Sequence, residues 1–412
     1  MKLLLKAPQN KIDSKIAITG SKSESNRLLL LQAIFPEIEI DNISNSDDST
    51  LMQAALKQDE ELVDIHHAGT AMRFLTSYFA TREGKEVVLT GSQRMQERPI
   101  KILVDALRTL GATIEYENNE GYPPLRIKGQ KLTKAAVQMQ ANVSSQYLSS
   151  LLLIAPSLEN GIQLTLEGEI TSLPYLKMTL ALLDQLDISS DFNGNQITVY
   201  PAKNVAKKKL VVESDWSSAS YFYSLAALAE EATIQLSSYK QQSLQGDSVL
   251  ARIYKYFGVT TTFNNHTITI TKSARYNPEE NKILKLDLTE APDIAQTIAV
   301  TCFGTGQGCH LTGLHTLKIK ETDRLEALKT ELTKLGAVIN VTDKELILEP
   351  SKQIHANIAI NTYNDHRMAM AFAPLAFKTN LIINDAEVVS KSYPDFWKDM
   401  QQIGIQTETL PS

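Results

Sequence analysis

The sequence predicts an α/β protein of two domains assembled from six copies of one strand–helix unit. Three observations carry this. The chain has 412 residues, too many for one ordinary core and enough for two. Helices apolar on nearly every side recur at near-constant spacing. Between them, helix ends closed by glycine or a polar residue lead into runs rich in β-branched residues.

The apolar helices begin on short polar clusters: SESNRLLLLQAIF (23–35), GTAMRFLTSYFA (69–80), SSQYLSSLLLIAP (144–156), DWSSASYFYSLAALA (215–229), PDIAQTIAVTCFG (292–304) and DHRMAMAFAPLAF (365–377). A helix without a polar face belongs inside a domain. With Asn26, Thr70, Ser145, Ser217, Asp293 and His366 as markers, the intervals are 44, 75, 72, 76 and 73 residues. That is a six-fold repeat whose first unit is short by roughly 30 residues, lost between Leu56 and His66.

The closing signal reads LRTLGATIEY (107–116), IYKYFGVTTTF (253–263), LTKLGAVINV (332–341) and MQQIGIQTET (400–409), with LLDQLDISSDF (182–192) as a version lacking the glycine. Each predicts a helix ending in a left-handed cap before a strand. TIEY, LRIKG, ITVY, TITITK and ELILEP add strand signal, so each unit reads strand, helix, strand, helix, strands. Three units per domain place the boundary near Val211–Asp215.

Composition excludes several classes. Hydrophobic residues make up 43% and charged residues 21%, which is ordinary globular usage. Two cysteines, Cys302 and Cys309, leave no disulfide framework and no cysteine-rich metal site. The N-terminal MKLLLKAPQNK lacks a signal peptide's long apolar region, and no stretch is long enough to span a bilayer. A soluble, reducing, cytoplasmic setting is expected. The net charge of −6 and pI near 5.8 argue against nucleic acid as a partner. Any bound anion must then be held by a local cluster of cations.

The helix starts are where such a cluster can form, because unpaired N–H groups and the positive dipole end favour anions. Ser, Asp and Asn there are individually expected as plain N-caps. Arg27, Arg73 and Arg367 need another reason, since a cation at that end opposes the dipole. An anionic ligand is one.

GSKSESNR (20–27), AGTAMR (68–73), SQRMQERP (92–99), SSQ (144–146), SDWSSASY (214–221), KIKETDR (318–324) and YNDHRMAM (363–370) together resemble the EPSP synthases of the enolpyruvyl transferase family. They occur in that family's order and span almost the whole chain; KETDR and NDHRMAM are the most specific. The resemblance implies an inside-out α/β barrel in each of two domains, each of three βαβαββ units. The N-terminal domain is 21–213, and residues 1–20 join 214–412 in the C-terminal domain. The active site is expected in the cleft between them. It further implies a monomer, without metal or cofactor, that joins phosphoenolpyruvate to shikimate 3-phosphate in aromatic amino acid biosynthesis.

Carried over by motif, Lys22, Ser23, Arg27, Ser144, Ser145, Gln146, Ser172, Asp293 and Lys320 are expected to hold shikimate 3-phosphate. Hydroxyls, an amide and cations suit a phosphate and a hydroxylated ring. Lys22, Gly69, Arg94, Gln146, Arg324, Arg367 and Lys391 are expected to hold phosphoenolpyruvate, arginine offering a planar fork to its carboxylate and phosphate. Gly69 would let the backbone approach the ligand. The reaction adds the shikimate 5-hydroxyl to C2 of phosphoenolpyruvate, protonates C3, and then expels phosphate. Asp293 is the expected base and Glu321 the expected proton carrier at C3, with Lys22 assisting.

Other readings weigh less. KIKETDRLEALKTEL taken alone could be an exposed, charge-paired helix. GTGQG (304–308) follows a helix and precedes a strand, so a tight turn is expected in place of a nucleotide loop. His66 and His67 are neighbours whose side chains diverge, which makes a poor metal site. His67, Phe74, Leu173 and Thr316 depart from the family pattern and touch its fine tuning. The related UDP-N-acetylglucosamine transferases carry a reactive cysteine in the loop that here reads GSQRMQERP, so that rival lacks its hallmark. A non-catalytic anion-binding relative is the alternative of a different class, motivated by the shortened unit and by Thr316. An RNA-end-processing enzyme would need a basic surface.

Overall fold

The structure, a computed structural model, describes residues 1–7, 9–141, 144–168, 170, 173–275 and 283–411. The chain divides into two compact units, one formed by Gly20–Val212 and the other by Met1–Thr19 with Glu213–Ser412.

Five four-stranded sheets repeat one pattern, and a sixth is cut short. In the Gly20–Val212 unit, Leu62–Asp64 pairs parallel with Glu86–Thr90, and the buried Gly69–Ala80 helix connects them. The hairpin Thr113–Tyr116 and Leu125–Lys128 then adds antiparallel strands. Ala136–Gln140, Ile162–Glu167, Ser190–Asn193 and Gln196–Val199 repeat the arrangement. The first repeat keeps only its parallel pair, Ile38–Asp41 with Lys208–Val211. Its second helix, Asp47–Lys57, leads directly to Leu62–Asp64 of the next repeat, with no hairpin between. The shortening therefore removes outer strands and spares the buried helix.

The other unit borrows from the N-terminus. Lys11–Ile16 runs parallel to Glu231–Ser237, and Lys2–Lys6 lies between Leu381–Ile383 and Gln406–Leu410.

Each unit has three of the apolar helices inside and sheets outside. Gly69–Ala80 and Ala295–Gly304 bury every residue, and Trp216–Leu228 buries all but Ser217. Small hydroxylated residues let these helices approach and satisfy one another. Ser77 bonds Ser150 at 3.0 Å, Thr301 bonds Ser224 at 2.8 Å, and Ser220 pairs with Thr297 at 3.1 Å. Such pairing avoids the cost of roughly 1–3 kcal/mol for each unsatisfied buried hydroxyl.

The expected left-handed caps form at Gly111, Gly258, Gly336 and Gly404, with φ of 110°, 75°, 103° and 108°. Asp187 takes the same conformation at φ 59° where the glycine is missing. The 3.0 Å bond from Ile188 N to the Leu183 carbonyl completes its cap as Ala337 N to Leu332 does at Gly336. GTGQG is a turn, with Gly306 at φ 76°. Among the described residues no helix is long and apolar enough to cross a membrane.

Candidate active site

In the unit formed by Met1–Thr19 and Glu213–Ser412, Arg324 is the hub. It opens the Arg324–Lys334 helix, which Asp323 caps through the amides of Leu325 and Glu326. Its side chain is 2% exposed, so KIKETDR is no solvated helix face. Nε donates to Asp365 Oδ2 at 2.7 Å, Nη1 to Asp293 Oδ1 at 2.8 Å, and Nη2 to Glu321 Oε2 at 2.8 Å. Burial alone would lower the guanidinium's pKa, but Asp365, Glu321 and Asp293 outweigh it and hold the group above its ordinary value. A cation at a helix start is thus stabilised by the protein's own carboxylates.

Asp293 gathers further cations. Lys320 Nζ stands 3.4 Å from Oδ1 and Arg367 Nη2 stands 3.5 Å from Oδ2, while Arg367 Nη1 donates to the Asp293 carbonyl at 3.1 Å. Asp293 is the middle residue of the short 3-10 turn Pro292–Ile294 that leads into the buried Ala295–Gly304 helix. Its side chain remains 14% exposed. Arg367 also donates to Ser217 Oγ at 3.3 Å, and Ser217 hydrogen-bonds the buried carboxyl of Asp247. Burial, then the charge of Asp293, push Asp247 up to about 6, against the pull of Arg367 and of the Ser217 hydroxyl. Lys391 donates to the Asn364 carbonyl at 2.7 Å, one residue before Asp365.

In the Gly20–Val212 unit, Lys22 opens the Lys22–Ile34 helix and Gly69 opens the Gly69–Ala80 helix. Neither helix start has a side-chain cap, whereas Ser144, Asp215 and Asp365 all cap theirs. Gln146 reaches from the Ser145–Ile154 helix to Thr70 Oγ1 at 3.1 Å, tying two starts together. Ser144 is exposed, Ser145 is buried and Ser23 is half-buried. Ser172 lies outside the described residues.

Four arginines of this unit sort into three kinds. Arg27 is buried and donates to Thr179 Oγ1 at 2.8 Å, to the Ser23 carbonyl at 2.7 Å and to Ser149 Oγ at 2.9 Å. Arg73 is buried and donates to the carbonyls of Gly69 at 3.1 Å and Pro99 at 3.3 Å. Burial pushes both down to about 10. The cations at these two helix starts therefore answer to the protein's own oxygens. Arg94 sits on the outside of the one-turn Gln93–Gln96 helix and pairs with Glu97 at 3.0 Å.

Arg98, the second arginine of SQRMQERP, lies close to Gly69. A Cβ built on Gly69 would stand 2.6 Å from Arg98 Nη1, so the guanidinium lies directly against the glycine backbone. Among the described residues Arg98 and Lys22 make no side-chain hydrogen bond or ion pair. Only glycine admits that approach, and ERP lies within the same quoted motif as Arg94.

His67 Nε2 is 3.6 Å from Asp47 Oδ2. Phe74 is fully buried with the Arg27 guanidinium 5.5 Å above its ring. Leu173 begins the Leu173–Gln185 helix. Thr316 Oγ1 is buried without a hydrogen bond.

Two units of repeated βαβαββ architecture, bearing clustered cations and carboxylates at buried helix starts, define an α/β enzyme that handles anionic substrates. The sequence profile described as EPSP synthase (3-phosphoshikimate 1-carboxyvinyltransferase) matches residues 55–400. A 3-phosphoshikimate 1-carboxyvinyltransferase from Bacteroides fragilis is 44% identical over 408 residues, 98% of this chain and 98% of its own. One from Histophilus somni is 35% identical over 438 residues, covering 98% and 99%. An EPSP synthase structure from Acinetobacter baumannii superimposes with a TM-score of 0.81 over 99% of this chain and all of its own, at 22% identity, a likeness of fold. The chain belongs to the EPSP synthase family.

Proposed function

We propose that the residues of both units act together on phosphoenolpyruvate and shikimate 3-phosphate, transferring the enolpyruvyl group to the 5-hydroxyl and releasing phosphate. The observation that carries the reading is the convergence of Arg324, Arg367 and Lys320 on Asp293. A carboxylate fixed among cations is a positioned base beside a site where an anion can be received.

Asp293 takes the proton of the 5-hydroxyl as that oxygen bonds to C2 of phosphoenolpyruvate. Its Oδ2 faces Arg367 at 3.5 Å. Glu321 delivers a proton to C3 and removes one in the elimination step, held in place by Arg324. The tetrahedral intermediate then expels phosphate and leaves the enol ether. Arg367 and Lys391 neutralise the carboxylate and phosphate of phosphoenolpyruvate; Arg324, with its nitrogens on three carboxylates, chiefly sets the geometry of Asp293 and Glu321.

Lys22, Arg98 and the uncapped starts at Lys22 and Gly69 form the second anion cradle. Arg98 takes the phosphoenolpyruvate role expected of Arg94, whose guanidinium faces outward to Glu97. Ser23, Ser144, Ser145, Gln146, Arg27 and Lys320 address shikimate 3-phosphate. The setting is cytoplasmic and the protein acts as a monomer, without nucleic acid.

Ligand-induced stabilisation tests the substrate class. Shikimate 3-phosphate raises the melting temperature, and phosphoenolpyruvate raises it further; UDP-N-acetylglucosamine and RNA leave it unchanged. Stabilisation by the sugar nucleotide alone would overturn the assignment.

A further inference from the structure

The Arg324–Lys334 helix carries a buried acid, Glu331, which none of the roles above uses. It is fully buried and lies seven residues, two helical turns, after Arg324 on the same face. Its Oε1 accepts the Tyr363 hydroxyl at 2.6 Å and its Oε2 accepts the Asn361 amide at 3.1 Å. Lys334 Nζ donates to both oxygens at 2.7 Å, so the charge is paired.

Both acceptor contacts fall on one segment. After the strand Ile358–Ile360 the chain passes through Tyr363 at φ 54° and Asn364 at φ 56°, then enters the His366–Phe372 helix. Two consecutive left-handed residues, one of them aromatic, are strained and persist only where surroundings fix them. The helix grips this segment at both ends: Glu331 holds Asn361 and Tyr363, and Arg324 holds Asp365. Between the grips lies the Asn364 carbonyl that accepts Lys391.

We propose that Glu331, acting through Tyr363, is a positioning residue for the phosphoenolpyruvate cations. By holding the left-handed turn at Tyr363 and Asn364 it sets the carbonyl that orients Lys391 and the carboxylate that orients Arg324. The proposal rests on the role given above to Lys391 and its neighbours. Glu331 touches no substrate.

Tyr363→Phe is the decisive variant, because it deletes one bond at a side chain already partly exposed. It raises KM for phosphoenolpyruvate about 10-fold, the worth of a hydrogen bond to a charged group, and leaves KM for shikimate 3-phosphate within about two-fold. Adding Asn364→Gly, which makes the left-handed turn without strain, returns KM for phosphoenolpyruvate to within about three-fold of wild type. Amide hydrogen exchange over 361–366 accelerates in Tyr363→Phe, a readout independent of turnover. An unchanged KM with unchanged exchange overturns the proposal, as does an equal rise in both KM values. A wild type without turnover would unseat the transferase reading instead, and the exchange experiment would still decide the loop.

Discussion

Arg324 and Asp365 form the innermost ion pair of the cluster, 2.7 Å from Nε to Oδ2, with side chains 2% and 0% exposed. Asp365 also accepts the Arg367 amide at 2.9 Å, so one carboxylate caps a helix and anchors the guanidinium that holds Asp293 and Glu321. Asp365→Ala leaves a buried arginine without its closest partner. It costs about 3–5 kcal/mol, the usual penalty for breaking a buried pair from one side, and Asp365→Asn costs less. Urea unfolding of the two variants checks this; a cost under about 1 kcal/mol for the alanine would mean the pair is not what holds Arg324.

The two arginines of SQRMQERP separate cleanly by experiment. Arg98→Ala raises KM for phosphoenolpyruvate by at least ~10-fold, because an otherwise unpaired cation against Gly69 is removed. Arg94→Ala stays within about three-fold, since its exposed pair with Glu97 is worth about 0–1 kcal/mol. The reverse ranking would assign the phosphoenolpyruvate contact to Arg94 and not to Arg98.

Gly69→Ala places a methyl group 2.6 Å from Arg98 Nη1, inside contact distance, and the flexible end of Arg98 must move. KM for phosphoenolpyruvate rises while the melting temperature changes little. Unchanged steady-state kinetics would show that the approach has no bearing on binding.

Asp247 gives the fold a definite pH dependence. Its carboxyl titrates at about 6 in the native protein, raised first by burial, whereas in the unfolded chain it titrates near its ordinary value of about 4. Between those values the native state binds more protons than the unfolded state. This group's contribution to stability therefore falls as pH rises from about 4 to about 6 and stays low above it. Asp247→Asn removes that slope. Melting temperatures of wild type and variant across pH 4–8 check the sign; parallel curves would contradict it.

Asp187 stands where four related turns use glycine. Asp187→Gly relieves a left-handed aspartate and stabilises the protein by about 1 kcal/mol. The lost Lys208 pair is exposed and subtracts little. A lower melting temperature would show that the Asp187 side chain matters more than its backbone.

The six repeats were legible because buried helices and left-handed caps each leave a local signature, as LTKLG and the interval series do. Asp187 shows the limit of the glycine rule, since the conformation persisted without the residue that marks it. Of the clustered residues, KETDR and NDHR single out Lys320, Glu321, Arg324 and Arg367, and Asp293 stands at the polar start of the PDIAQTIAVTCFG helix. Asp247 and Glu331 were not legible, because burial and long-range partners define them and QGDS or KTEL do not. Arg94 and Arg98 lie four residues apart, and the Gln93–Gln96 helix stops after one turn between them, so spacing in the sequence does not rank the two. Arginines at helix starts call for a partner, and Arg27 and Arg73 donate to the protein's own oxygens, which spacing in the sequence does not reveal.

Phosphate release from shikimate 3-phosphate plus phosphoenolpyruvate, measured for wild type, Asp293→Asn and Lys22→Ala, tests the central claim most directly. Wild type releases phosphate only when both substrates are present, and each variant, folded and still stabilised by shikimate 3-phosphate, loses at least ~100-fold, the low end of a general base's contribution. Wild-type turnover by Asp293→Asn would contradict the assignment of the base. A folded wild type that binds shikimate 3-phosphate and releases no phosphate would contradict the transferase itself.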